Sequence, residues 1–127
     1  MSFFDKIFGG SEDQANDSLG KWTPIKSIED LDKAAERSKE VPVVLFKHST
    51  RCFISKTVLG NFEKEMKAFQ GDAEFYFLDL LAHRNVSNEI EKRFKVVHQS
   101  PQMIVLKNGK VVNDASHHSI SINLLNA

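Results

Sequence analysis

The run Val41-Pro42-Val43-Val44-Leu45-Phe46 contains no polar side chain. A strand with one wet face alternates apolar and polar residues, so a continuous run with β-branched residues is expected to be covered on both faces. Pro42 has no N–H to give a ladder and fits only at the beginning of such a strand. A doubly covered strand requires helices on either side of a sheet, and the flanking periodicities supply them. Ser27-Ile28-Glu29-Asp30 matches a capping box, in which the Ser27 oxygen accepts from the Asp30 N–H and the Asp30 carboxylate reaches back. Ile28, Leu31 and Ala35 then recur at helical spacing to about Ser38. Leu59, Phe62, Met66 and Phe69 repeat at 3, 4 and 3, one face of a helix that starts at Phe53. Val86, Ile90 and Phe94 mark a further helix, with a cap expected near Asn85.

Other segments read as strands. Trp22-Thr23-Pro24-Ile25 suits a short edge, Ala73 to Asp79 a buried strand, and Gln102 to Leu106 another. Asn108-Gly109 predicts a type I′ hairpin, because both residues tolerate positive φ, and Val111-Val112 begins the return. His117 to Ala127 reads as a short terminal helix, although Ser119 to Ile122 also alternates as a strand does. Strands separated by helices imply parallel crossovers, and the hairpin implies an antiparallel end. The expected fold class is therefore α/β, a mixed central sheet flanked by helices.

Cys52 is the single cysteine among 127 residues, and it falls where the central strand runs into the helix that follows. Ligands of such sheets gather outside the carboxyl ends of the strands. A helix N-terminus presents unpaired N–H groups and the positive end of the dipole, which favour a thiolate, the nucleophilic form. Arg51 adds positive charge beside the sulfur, as His48 and Lys56 can. Ser55 stands where a Cys-x-x-Cys oxidoreductase carries its second cysteine, which points to a one-thiol redox site. The plainer reading of Cys52 is a small, inert residue buried at a helix start. Ser55 is either a hydrogen-bond donor to the sulfur or an ordinary helix residue, and His48 either tunes the thiolate or lines the core edge. Asp79 can assist proton transfer or begin a turn. His117-His118 lacks any Cys-x-x-Cys or His-x-x-x-His companion and reads as structural rather than metal-binding, and His83 and His98 carry no signal.

Whole-chain quantities narrow the classes further. The length suits one domain. With 17 basic and 17 acidic residues the formal charge is +0, which argues against nucleic acid or an anionic membrane as the main partner. No apolar run approaches the ~18 residues of a membrane span, and no secretory leader is evident, so a cytoplasmic location is expected. Residues 1–20 look separate from a domain at 21–127. Phe3, Phe4, Ile7 and Phe8 would share one helical face, either an amphipathic anchor or a flexible segment, before a polar linker from Ser11 to Gly20.

The arrangement resembles the thioredoxin fold in three places: Cys52 at the strand–helix junction, Ser100-Pro101 before a hydrophobic strand, and the Lys107-Asn108-Gly109-Lys110 hairpin. More narrowly, Phe46 to Thr50 leading into Cys52, Ile54-Ser55 after it, Ser100-Pro101-Gln102, and Ala115 to Ile120 resemble the monothiol bacilliredoxins of YtxJ type. The resemblance covers roughly 22–127. Phe53 departs from the proline that many members of the superfamily carry there, and Arg51 from their threonine or tryptophan. It implies that Cys52, with Ser55 in the catalytic pair of positions, removes bacillithiol from mixed disulfides on oxidised proteins. Thr50, Arg51, Phe53, Ser100 and Pro101 would meet the substrate, with His48 tuning the thiolate. It also implies a cis bond before Pro101, no tightly bound cofactor, bacillithiol as thiol co-substrate, and bacillithiolated client proteins with a recycling thiol or disulfide reductase as partners. Composition alone favours a trans Pro101. The competing functions are a non-catalytic binding module on the same scaffold, with a structural or merely modified Cys52, and a thiol peroxidase, against which stands the lack of an obvious peroxide-binding arginine and threonine set beyond Thr50 and Arg51.

Overall fold

The computed structural model describes residues 22–126; the Met1–Gly20 segment, with its anchor and linker readings, lies outside the described residues. The elements in order are β1 (Trp22–Pro24), α1 (Ile28–Arg37), β2 (Val43–His48), α2 (Phe53–Ala68), β3 (Glu74–Asp79), α3 (Arg84–Phe94), β4 (Gln102–Lys107) and β5 (Lys110–Ser116). Two 3₁₀ turns follow, His117–Ser119 and Ile122–Asn126. The sheet order is β1-β3-β2-β4-β5. β3 pairs in parallel with β1 and β2, while β2–β4 and β4–β5 are antiparallel.

β2 is central, and all its side chains are buried. Its alternation feeds two cores. Val43 and Leu45 pack with Leu31 and Ala34 of α1 and Val86 and Ile90 of α3. Val44 and Phe46 pack with Val58, Phe62 and Met66 of α2 and with Leu125. Aromatic rings set the second core: Trp22–Phe46 centroids are 5.7 Å apart and Phe46–Phe62 5.6 Å. Truncating a ring such as Phe62 to alanine removes about 3–5 kcal/mol of packing, so this cluster fixes where α2, and hence its first turn, sits.

Local chemistry explains where the elements begin and end. Ser27 Oγ accepts from the Asp30 N–H at 3.1 Å, but the Asp30 carboxylate reaches one residue further than the box requires, to the Lys26 N–H at 2.9 Å. Asn108 and Gly109 both have positive φ, 55° and 76°, as the I′ turn demands. The tip of this hairpin is tied to the end of α1, since the Gly109 N–H donates to Ser38 Oγ at 2.8 Å.

Several expected boundaries shift. The central strand is Val43–His48 rather than Val41–Phe46: Pro42 contributes only its carbonyl, to the Glu74 N–H at 2.9 Å, and the ladder runs on through Lys47 and His48. The inward face of α2 is Ser55, Val58, Phe62 and Met66, leaving Leu59 and Phe69 half-buried, because the buried serine was invisible to an apolar count. The cap of α3 is His83, not Asn85. Asp79 Oδ1 takes the Leu81 amide at 3.1 Å, the His83 N–H returns to Asp79 O, and the turn is complete before Asn85. The terminal helix is replaced by the two 3₁₀ turns, closed by Ile120 N–H to His117 O and Leu124 N–H to Ser121 O, with His117 at φ 54° interrupting any continuous helix. No helix among the described residues is long and apolar enough to cross a membrane.

Candidate active site

β2 ends at His48, and a short turn closed by Cys52 N–H to Ser49 O at 3.2 Å delivers Cys52 to the N-cap of α2. Its backbone is extended, φ −103° and ψ 120°, the geometry a cap residue needs. Its carbonyl accepts from the Lys56 N–H at 3.1 Å, but its side chain makes no capping bond. The thiol is free and half-buried. It therefore sits at the positive end of a helix of 16 residues with no acidic residue in the first turn.

The surroundings divide into an exposed rim and a buried base. Thr50 and Arg51 are exposed, Phe53 is 80% exposed and Ile54 44%. A phenylalanine left this open directly after the cysteine presents apolar surface beside the sulfur. Ser55, by contrast, is wholly buried. Its hydroxyl lies 2.8 Å from His48 Nδ1 and accepts from the Ser49 N–H at 3.1 Å. These bonds tie the first turn of α2 to the end of β2. Burial pushes His48 below its ordinary pKa; Asp79, its Cα partner across the ladder, pulls upward and Lys56 adds to the lowering. His48 is thus neutral at pH 7, and its ring lies 5.5 Å from that of Phe77. Asp79 itself is committed to the turn amides of Leu81 and Ala82.

The second wall comes from the other neighbour of β2. Lys47 and Gln102 are Cα partners in the antiparallel ladder, so the residues before Gln102 continue past the end of β2. These are Ser100 and Pro101, and the bond between them is cis. Pro101 is buried, and its carbonyl accepts from the His117 N–H at 3.1 Å. Ser100 Oγ is buried with no hydrogen-bond partner among the described residues. The sheet register thus brings Ser100 and Pro101 to the same end of the sheet as His48, Cys52 and Ser55, with Thr50, Arg51 and Phe53 on the rim.

Sequence reasoning passed over two residues here. Lys47 is fully buried, with Nζ 2.7 Å from His98 Nδ1. A lysine extending an otherwise apolar central strand was the available signal, since a strand covered on both faces has no wet side for it. His98 left no such trace. Among the described residues no group of His, Cys, Asp and Glu is arranged to hold a metal ion.

Comparison with known proteins shows the family and the fold. The family model of the monothiol bacilliredoxin BrxC matches residues 23–125. A solved structure described as a candidate oxidoreductase with a thioredoxin fold is 29% identical, with TM-score 0.74, over 86% of this chain and 94% of its own. The reduced thioredoxin pre-protein of Schistosoma mansoni is 25% identical, with TM-score 0.61, over 76% of this chain and 86% of its own. Mitochondrial thioredoxin 3 of Saccharomyces cerevisiae, at 18% identity and TM-score 0.62 over 79% of this chain and 87% of its own, shares the fold. The five-stranded mixed sheet with its three helices is the thioredoxin-like fold.

Proposed function

The chain belongs to the monothiol bacilliredoxin family, and on that footing we propose that it removes bacillithiol from mixed disulfides on oxidised client proteins, with Cys52 as the nucleophile. The observation that carries the reading is the free sulfur of the single cysteine, held uncapped at the start of α2. The Cys52 thiolate attacks the bacillithiol sulfur of the client disulfide. One S–S bond forms as the other breaks, and the client leaves as a thiolate that takes up a proton. Cys52 then carries bacillithiol. A second thiolate, from free bacillithiol or a reductase, attacks this new disulfide and returns Cys52 reduced. That thiol comes from another molecule, because the sequence has no other cysteine.

The neighbours take roles that suit their positions. Thr50, Arg51 and Phe53 meet the substrate at the rim, while the Ser100 backbone, next to the buried Pro101 ring, offers polar groups to an extended client segment, as an unpaired strand edge does. Ser55 braces the loop that carries Cys52. Its hydroxyl accepts from the Ser49 N–H and shares a hydrogen bond with His48 Nδ1. His48 acts on the thiolate as a neutral dipole.

The test is transfer from a bacillithiolated model protein, read by intact mass. Gain of one bacillithiol on wild type, release of reduced model protein and no gain on Cys52→Ser are expected. A folded, reduced wild type that takes up no bacillithiol, and whose Cys52 resists alkylation at neutral pH, overturns the assignment and leaves a binding module.

A further inference from the structure

Residues 95–101 form the loop that enters β4 and carries Ser100 and Pro101. Lys95 closes α3 in the left-handed region, its N–H bonded to Glu91 O. Beyond it, residues 96–100 make no backbone–backbone hydrogen bond among the described residues. A segment without backbone bonds has to be held by side chains or left to move. Side chains from two strands hold it. Gln102 Nε2 donates to Val97 O at 3.0 Å, and Gln102 Oε1 lies 3.4 Å from the Gln99 amide. Lys47 Nζ reaches His98 Nδ1 at 2.7 Å, and Ser87 Oγ of α3 lies 3.4 Å from the same nitrogen.

Lys47 and Gln102 are direct partners across β2 and β4. Both sit on the face that Leu45 and Ile104 turn toward α1 and α3, and both are buried, at 0% and 2% exposure. Burying an amine costs free energy unless a partner takes its protons. Among the described residues Lys47 makes no ion pair with a carboxylate; its near partner is the lone pair of a histidine in the loop. Burial brings Lys47 down to about 8 and lowers His98, with Lys47 adding to the second shift. At neutral pH an ammonium therefore faces a neutral imidazole, a charge-assisted donor–acceptor pair. A lysine is an expensive way to fill a core site, and what its ammonium holds, through the exposed His98, is the loop that ends in Ser100-Pro101.

We propose that Lys47 and Gln102, acting through His98, Val97 and Gln99, form a bracket that positions the Ser100-Pro101 segment for the client polypeptide, so that Lys47, Gln102 and His98 are positioning residues of the exchange reaction. The inference rests on the proposed exchange. It assigns the bracket to client docking and not to the reactivity of the sulfur.

His98→Ala removes the acceptor, His98→Asn restores an oxygen near the place of Nδ1, and Lys47→Met removes the donor while keeping the length of the side chain. Backbone ¹⁵N order parameters at residues 97–100 are expected to fall from near 0.85 toward 0.6 in His98→Ala and Lys47→Met, the difference between about rigid and about flexible backbone. They are expected to recover in His98→Asn. KM for a bacillithiolated client rises about tenfold in the two disabled variants, as for loss of one net hydrogen bond, while kcat and the alkylation rate of Cys52 stay within about twofold. Unchanged loop order in folded Lys47→Met and His98→Ala overturns the bracket, as does slower Cys52 alkylation at unchanged KM. A wild type that transfers no bacillithiol counts against the proposed function instead, and the order parameters still decide whether the bracket holds the loop.

Discussion

Ser55 shows how one buried hydroxyl can join two elements. At the place of a second cysteine it has no thiol to offer, and its hydroxyl joins His48 Nδ1 to the Ser49 amide in a fully buried site. Ser55→Ala leaves both groups without that partner. A buried donor or acceptor stripped of its bond costs about 1–3 kcal/mol, and urea unfolding is expected to show a loss of this size, with bacillithiol transfer to Cys52 retained. Unaltered unfolding would mean that the hydroxyl bonds contribute nothing to the fold. The spacing from Cys52 to Ser55 was legible in the sequence. The partners were not, because both lie across a strand–helix junction whose turn geometry no local pattern encodes. Phe53 was legible as a departure from the proline of relatives, but its 80% exposure became evident only once the helix face was known.

At the scale of the element, α2 is a helix whose N-cap is given to chemistry. Aspartate and serine at this position accept from the first-turn amides, and the observed sulfur makes no such bond. Cys52→Asp is therefore expected to raise thermal stability by about 1 kcal/mol through capping and the dipole, while abolishing transfer. A destabilised Cys52→Asp would show that the sulfur is packed rather than held open. Helix existence was readable from period alone, yet the inward stripe began at Ser55, a polar residue that a hydrophobic count omits. The start of α3 was misplaced for a related reason. Asp79 organises the preceding turn by side-chain bonds to Leu81 and Ala82, and the helix then begins at Arg84 with a His83 cap that makes no side-chain bond. β2 was identified by its apolar run, but its last two residues, Lys47 and His48, are buried and polar, and an apolar count passes over them.

For the molecule as a whole, three basic groups share one sign, the buried Lys47 and His48 and the exposed His98 that Lys47 meets. His48 and His98 are lowered, mainly by burial, and so is Lys47, whose value falls from 10.5 to about 8 with Glu91 opposing. In each case the unfolded chain binds more protons than the folded one within the shifted window, so stability rises with pH there. For the histidines that rise ends near their unfolded value of 6.5, and stability is lost as pH falls below it. Glu74 works in the same direction at lower pH, since its bond to Arg37 holds it down and its contribution is lost on acidification. Glu63 opposes, because burial raises it. Above neutrality the dominant group is Lys47, whose buried charge is relieved between about 8 and 10.5. Tyr76, raised chiefly by burial and then by its bond to Glu74, turns the trend over above its ordinary 10.0, where the unfolded phenol ionises first. Urea midpoints at fixed ionic strength are thus expected to climb from pH 7.5 to about 9.5, past the pH 5 to 8 range where most proteins peak. Lys47→Met should start higher at pH 7.5 and show a flatter profile, because it removes a buried charge that makes no ion pair with a carboxylate among the described residues and is only partly offset by Glu91. A wild-type midpoint that falls steadily over this range, with the same slope in Lys47→Met, would show that the ammonium is not buried in solution. A flattened profile together with the loosened loop would mean that the fold accepts a cost in stability at Lys47 in exchange for a fixed Ser100-Pro101 segment beside Cys52.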